Sequence, residues 1–357
     1  MLFIPKIIHK IARLFLSRDI SEYILISLSL FGVLQMWGAA PEFALRQFGF
    51  FVFCLVIYFI AKTKHFRIYL KRFIVIGYIL TLILLIGVMF TDPVKGARRW
   101  FNVYGISIQP SEFAKISVIL MISYFISEIK PLINIRIIKI LVPIILLLIP
   151  TILIFLQPDF GTAFLLFFTS SILIYTHFKF KLKEMILGIL IIIVTVILVF
   201  TNLKDFQKQR IYSYIEKFEG IKKEENFNSV QAKIAIGSGG LMGKGLGAGT
   251  QSKLAFLPED HTDFAFSSYS EQFGYSGVII LLSLLAILIV RFYKKINLSG
   301  NNYLKIALQG YLILFCLQVF INISMNLGIV PIVGVPLPLI SYGGSSLLLW
   351  FFVAGLF

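Results

Sequence analysis

Four ionisable side chains crowd the stretch Leu257-Pro-Glu-Asp-His-Thr-Asp-Phe-Ala-Phe266: Glu259, Asp260, His261 and Asp263. The chain otherwise avoids acidic residues, with 17 Asp+Glu against 33 Lys+Arg. The stretch closes a long polar segment and runs directly into an apolar one, which sets these charges at a membrane–water boundary. A carboxylate is costly to keep there and by default marks a functional site. Asp263, last before the apolar run, is the centre of the candidate chemistry.

Other polar groups sit at comparable boundaries. Gly96-Ala-Arg-Arg-Trp-Phe101 offers Arg98, Arg99 and Trp100, which suit an anionic headgroup, a pyrophosphate or a sugar ring. They equally suit an interfacial aromatic anchor with snorkelling cations. In Gln109-Pro-Ser-Glu-Phe-Ala-Lys115 the proline fits the first turn of a helix. Glu112 and Lys115, three apart, then share a face and can pair. Gln157-Pro-Asp-Phe-Gly-Thr162 repeats the Gln-Pro entry, and Asp159 there can cap a helix or orient a cation or sugar hydroxyl. The glycine-rich run 236–250 is not a P-loop, because Ser238 stands where glycine is needed and Gly245 follows Lys244. Its amides with Lys233 and Lys244 can cradle a phosphate, or form an adaptable loop. Pro331, Pro336 and Pro338 break the helix between two apolar runs, and irregular backbone at that depth must be buried or line a cavity.

The elements that position these groups follow from hydropathy. The chain of 357 residues is 58% hydrophobic, and its apolar runs reach the roughly 20 residues that cross a bilayer. The fold class is all-α: a polytopic membrane protein, one membrane domain over 1–357. Ten spans are expected near 21–39, 46–62, 72–91, 110–128, 136–156, 160–177, 184–201, 266–290, 303–325 and 340–357. Residues 1–18, with Lys6, Lys10, Arg13 and Arg18 among apolar positions, predict an amphipathic helix on the cytoplasmic surface. Basic clusters such as Lys62, Lys64, Arg67, Lys71 and Arg72 fall on one side, against Arg46, Lys95, Arg98 and Arg99 in the short loops of the other. That bias puts the N-terminus inside. The long loop 202–265 between spans seven and eight is then outside, with helical stretches expected at Phe206–Phe218 and Val230–Ile236. All the polar groups above converge on that outer side, as a single active site requires. The net charge of +16 reflects membrane topology rather than a nucleic-acid partner. Cys54 and Cys316 lie in apolar runs as core residues, and the four histidines show no zinc-ligand spacing.

GARRWF at 96–101, QPSEFAK at 109–115, QPDFGTA at 157–163, AIGSGGLMGKG at 235–245, FLPEDHTDFAF at 256–266 and PLPLISYGGSS at 336–346 together resemble the SEDS family of bacterial cell-wall synthases. Gly249-Thr-Gln-Ser252 and Gly334-Val-Pro336 are more similar to its elongation branch than to its division branch. The sequence departs from the family at Ala265, at Gln272 and near Tyr214, and not at Asp263. The resemblance implies a ten-span peptidoglycan glycosyltransferase of the cytoplasmic membrane that polymerises lipid II beside a class B penicillin-binding protein. It carries the catalytic aspartate onto Asp263 and an essential tryptophan onto Trp100. Arg98, Arg99, Glu112, Lys115, Asp159, Lys233 and Ser341 are its candidate substrate-binding residues.

On that reading Asp263 is a general base that deprotonates the acceptor hydroxyl as it attacks the donor's anomeric carbon. Undecaprenyl pyrophosphate leaves with inversion, its charge met by Arg98, Arg99, Lys115 or Lys233. No tightly bound cofactor is expected. A Mg²⁺ or Mn²⁺ ion would travel with the pyrophosphate rather than occupy a protein cage. Glu259 and Asp260 read as loop charges and His261 as a positioning residue. The competing classes are a lipid II flippase, for which broken helices and intramembrane charges are equally suited, and an inert scaffold.

Overall fold

The computed structural model describes residues 20–39, 41–93, 97–103, 106–178, 227–253 and 256–357. The expected surface helix 1–18, the span 184–201 and the stretch Phe206–Phe218 lie outside the described residues. Helices α1 (Ile20–Ala39), α2 (Pro41–Lys62), α3 (Lys64–Gly87), α4 (Pro110–Tyr124), α5 (Arg136–Leu156) and α6 (Phe160–His177) occur where six spans were expected. Helix α7 (Phe227–Ser238) precedes α8 (Ala265–Leu298), α9 (Asn302–Asn326) and α10 (Gly344–Leu356). Seven of the described helices are long and apolar enough to cross a membrane. Helix α4 reaches that length through a π-helical turn over Phe125–Ile129.

Helix ends follow local chemistry. Thr63 caps α3 by accepting from Phe66 N, so that helix starts eight residues before its expected boundary and carries Arg67, Lys71 and Arg72 within it. Pro110 opens α4, where its missing N–H costs nothing. Asn301 caps α9. The all-α expectation gains one small exception. Strands β1 (Phe101–Val103) and β2 (Ile106–Ile108) pair antiparallel with Phe101 opposite Ile108, and this hairpin directly follows Trp100.

The interior is aromatic and tightly interlocked, with Phe315 edge-on to Trp350 at 4.8 Å and Tyr311 wholly buried. Phe53, Ile83 and Ile137 are exposed, the face lipid would cover. Small residues allow close approach: a Cβ on Gly32 of α1 would sit 2.5 Å from Ile340 O.

One helix is not continuous. In α8 Gly274 takes φ 63°, ψ −166°, so Tyr275 N and Ser276 N cannot reach Glu271 O and Gln272 O, their partners in an unbroken helix. The glycine-rich segment inserts there instead. Lys244 N donates to Glu271 O at 3.0 Å, Gly245 N to Gln272 O at 3.0 Å, Tyr275 N to Gly240 O at 2.9 Å and Ser276 N to Leu241 O at 3.0 Å. All four groups of the interrupted helix are satisfied by the inserted strap. A Cβ on Gly243 would lie 2.2 Å from Gln272 O, and one on Gly274 2.2 Å from Gly243 N. Glycine is required at both for the two backbones to meet.

Candidate active site

The segment bearing Asp263 is held by its main chain. Just before it, Tyr342 N donates to His261 O at 2.7 Å, and Ser341 Oγ donates to Thr262 O at 2.6 Å. Asp263 O accepts from Asn322 Nδ2 and Asn326 Nδ2, each at 3.0 Å. Three successive carbonyls are thus fixed by donors from α9 and from the 341–342 turn. Asn326 does more: its Oδ1 accepts from Ser267 N at 3.1 Å and Ser267 Oγ at 2.6 Å. Asp263 O and Ser267 N would bond directly if α8 began one turn earlier. The Asn326 amide stands between them and keeps Asp263 ahead of the helix, which starts at Ala265.

The same helix face fixes the irregular segment 327–343. Gln318 Nε2 donates to Pro336 O at 2.9 Å and Asn322 Nδ2 to Val335 O at 2.7 Å. Gly334, at φ 71°, lies beside the carboxylate: a Cβ there would be 3.4 Å from Asp263 Oδ2. From α2, Gln47 holds both ends of the following turn, accepting from Gly343 N at 3.2 Å and donating to Ser341 O at 3.3 Å. His261 stacks on Phe43 at 4.5 Å, with Nδ1 3.1 Å from Asp260 Oδ1.

On the far side of residues 333–335 lies a second polar centre around Asp159. Gly161, at the start of α6, meets Val333 O so closely that a Cβ would be 2.2 Å away. Asp159 is 2% exposed. It caps α6 through Thr162 N at 3.5 Å and accepts from Gln109 Nε2 at 2.8 Å and Ser111 Oγ at 3.2 Å. Arg99 Nη1 lies 3.7 Å from Asp159 Oδ1. The next residue after Ser111 is Glu112, whose Oε1 accepts from Lys115 Nζ at 2.6 Å, both side chains buried in α4. Arg99 Nε and Glu112 Oε2 are buried atoms without a hydrogen-bond partner. This centre therefore holds one donor and one acceptor without a protein partner.

The expected site residues divide accordingly. Arg99, Glu112, Lys115 and Asp159 are gathered with Ser111 and Gln109. Arg98 is turned away, exposed, with Nη1 donating to Met89 O at 3.2 Å. Trp100 is half-buried, its carbonyl accepting from Thr91 Oγ1 at 3.4 Å. Lys233 is half-buried on α7, beside Ala232, which packs with Ala235, Leu257 and Phe264. The Ser341 hydroxyl is used within the protein, since it also accepts from Leu337 N at 2.8 Å. The glycine-rich run is a fixed strap, with Lys244 Nζ held by Glu271 Oε1 at 2.7 Å. Its amides at 244 and 245 are spent on α8 and are not available to a phosphate. Among the described residues no three His, Cys, Asp or Glu side chains come together to hold a metal ion.

Gln318, Asn322 and Asn326 were not singled out from the sequence. Their signal was present, as three amides four residues apart on one face of an apolar helix, all wholly buried.

Comparison with known proteins agrees with this architecture. A family model of cell cycle proteins covering FtsW, RodA and SpoVE matches residues 10–357. Peptidoglycan glycosyltransferase MrdB of Escherichia coli K12 is 36% identical over 335 residues, 91% of this chain and 88% of MrdB. The probable peptidoglycan glycosyltransferase FtsW of Wigglesworthia glossinidia brevipalpis is 35% identical over 364 residues, 95% of this chain and 92% of that protein. Among solved structures, a chain of a peptidoglycan synthase complex superposes with TM-score 0.75 at 24% identity, covering 94% and 95% of the two chains. The rod shape determining protein RodA of Thermus thermophilus gives TM-score 0.67 at 24% identity, covering 95% and 93%.

Proposed function

This chain belongs to the SEDS family of FtsW, RodA and SpoVE proteins, and from that membership and the geometry around Asp263 we propose how it works. It is a peptidoglycan glycosyltransferase of cell elongation, and its substrate on this reading is lipid II. The observation that carries the assignment is the clamp on residues 261–263. A carboxylate at a membrane boundary is costly, and here the chain spends three buried amide or hydroxyl side chains on fixing the backbone that bears it.

Asp263 takes the proton of the acceptor sugar hydroxyl as that oxygen bonds to the donor's anomeric carbon. The bond from that carbon to pyrophosphate breaks, and undecaprenyl pyrophosphate carries away the electron pair. One displacement with one base inverts the anomeric centre, so an α-linked donor yields a β-linked glycan. A positioned base contributes about 10²–10⁴-fold. Arg99, whose Nε is unpaired, pairs with Asp159 through Nη1 and meets the developing phosphate charge. The unpaired Glu112 Oε2 suits a sugar hydroxyl or amide N–H, while Oε1 is held by Lys115 Nζ. The half-buried Trp100 suits a sugar face. A divalent cation, where one takes part, belongs to the pyrophosphate substrate, since the described residues supply no cage for it.

The bias of basic residues supports a cytoplasmic-membrane protein with its N-terminus inside and Asp263 outside. A class B penicillin-binding protein is the proposed partner, in keeping with the likeness to a chain of a peptidoglycan synthase complex.

The test is lipid II polymerisation by purified Asp263→Asn with its partner in detergent. The variant should melt as the wild type does and lose glycan synthesis by about 10²-fold or more. Near-normal glycan formation by the folded variant refutes the base assignment. Transfer of lipid II across vesicles without chain growth by the wild type refutes the enzyme in favour of a flippase.

A further inference from the structure

The membrane face opposite Asp263 holds a cluster of charges that glycan synthesis does not use. The start of α1, the end of α2, the start of α3 and the last turns of α8 converge there. They bring together Glu22, Lys62, Arg67, Arg291 and Lys295. Lys62 pairs with Glu22. Lys295 Nζ donates to Ser21 Oγ at 2.8 Å and is within electrostatic reach of Glu22, Lys62, Arg67 and Arg291. Arg67 Nη2 donates to Gly355 O at 3.0 Å, near the end of α10. Among the described residues, four cations thus face one carboxylate.

Two of the four are incompletely satisfied. Arg291 is 8% exposed, and its Nη2 is a buried atom with no hydrogen-bond partner. Arg67 Nε is in the same condition. A guanidinium cannot shed its charge and presents its donors in a rigid fork. Two incompletely paired guanidiniums, both within electrostatic reach of Lys295, call for an anion with several acceptor oxygens. Among the described residues the one carboxylate acting on Lys295 is Glu22, and it pairs with Lys62. The depth of the cluster identifies the source. Tyr23, Phe59 and Tyr293, on the same ends of α1, α2 and α8, are 68%, 59% and 59% exposed. Exposed aromatic side chains at helix ends mark the headgroup level of a bilayer.

We propose that Arg67 and Arg291, with Lys62 and Lys295 at the rim, bind the phosphate of an anionic phospholipid on the membrane face opposite the active site. Basic pockets between helices at the membrane surface take such headgroups. Free phosphate offers the same oxygens, so the experiment separates the two.

The full chain is placed in phosphatidylcholine nanodiscs with and without phosphatidylglycerol, and thermal unfolding is followed. Phosphatidylglycerol raises the Tm of the wild type. Arg291→Leu loses most of that rise, yet in phosphatidylcholine alone it melts no lower than the wild type, because it deletes a buried charge that had no partner. Arg291→Gln, kept as a second variant should the leucine fail to fold, also loses the rise. Lys294→Gln, which removes the same charge from an exposed neighbouring position, keeps it. An undiminished rise in both Arg291 variants overturns the site. Equal loss in Lys294→Gln overturns it in favour of diffuse surface attraction. A full rise from inorganic phosphate in phosphatidylcholine discs overturns the lipid as the source.

Discussion

Replacing Asn326 by leucine tests whether the clamp around Asp263 serves the chemistry or only the fold. The side chain makes five hydrogen bonds: to Asp263 O, to Asn322 O and Oδ1, and from the N and Oγ of Ser267. Leucine has nearly the same shape and none of this capacity. If nothing moved, Ser267 N would be a buried donor without an acceptor, at about 1–3 kcal/mol, and its hydroxyl would add a similar amount. Relaxation offers a way out. Ser267 N and Asp263 O are natural helical partners, and with the amide gone they can bond directly. The stability loss then falls to about 1–2 kcal/mol, while Asp263 is drawn into the first turn of α8. A misplacement of about 1 Å from productive geometry costs on the order of 10²-fold in rate, equivalent to about 2.7 kcal/mol of transition-state stabilisation. The signature is therefore a folded protein with a small fall in Tm, a hundredfold loss in lipid II turnover and little change in KM. Gln318→Leu, which removes one bond to Pro336 O and leaves Asp263 O untouched, should lose far less activity. Normal turnover in Asn326→Leu, or a loss no greater than the unfolded fraction, refutes the reasoning.

Lys115→Met strands the buried Glu112 carboxylate and should destabilise the protein by about 3–5 kcal/mol, whereas Glu112→Gln with Lys115→Met should recover most of that; thermal unfolding in nanodiscs measures both, and a double variant as unstable as the single one contradicts an ion pair. Gly274→Ala drives a methyl towards Gly243 N at a positive φ, for a loss of about 2–5 kcal/mol. It should also expose 239–249 to proteolysis, and a strap that stays protected counts against the insertion described above. Gly334→Ala places a methyl 3.4 Å from Asp263 Oδ2 at φ 71°. It should lower kcat about tenfold through restriction of the carboxylate, at about 1–3 kcal/mol of strain, and an unchanged kcat would show that the carboxylate does not work beside Gly334.

Hydropathy made the helices legible because each span carries its own apolar run and the bilayer demands internal hydrogen bonding. Local stereochemistry made several ends legible too, as with Pro110 opening α4 and Asp159 capping α6. The Glu112–Lys115 pair could be read from a spacing of three. Neighbours in sequence were harder to separate. Arg98 and Arg99 look equivalent as a pair, but successive side chains of an extended segment point to opposite sides. One therefore reaches Met89 and the other Asp159. The glycine-rich run could not be read as a strap, because the backbone groups it satisfies appear only once α8 has broken at Gly274. The same holds for Asn322 and Asn326, which form a visible stripe along α9 whose partner at Asp263 is about 60 residues away. The sequence by itself determined that Asp263, close to Glu259 and Asp260, would stand at a membrane boundary, since type and hydropathy are properties of the chain. Only the tertiary structure decided that Arg99, rather than Arg98, reaches Asp159, and what holds Asp263 in place. The hydrogen bonds that hold it run from side-chain amides and a hydroxyl to main-chain carbonyls that every residue possesses, so the visible stripe on α9 does not name its partners.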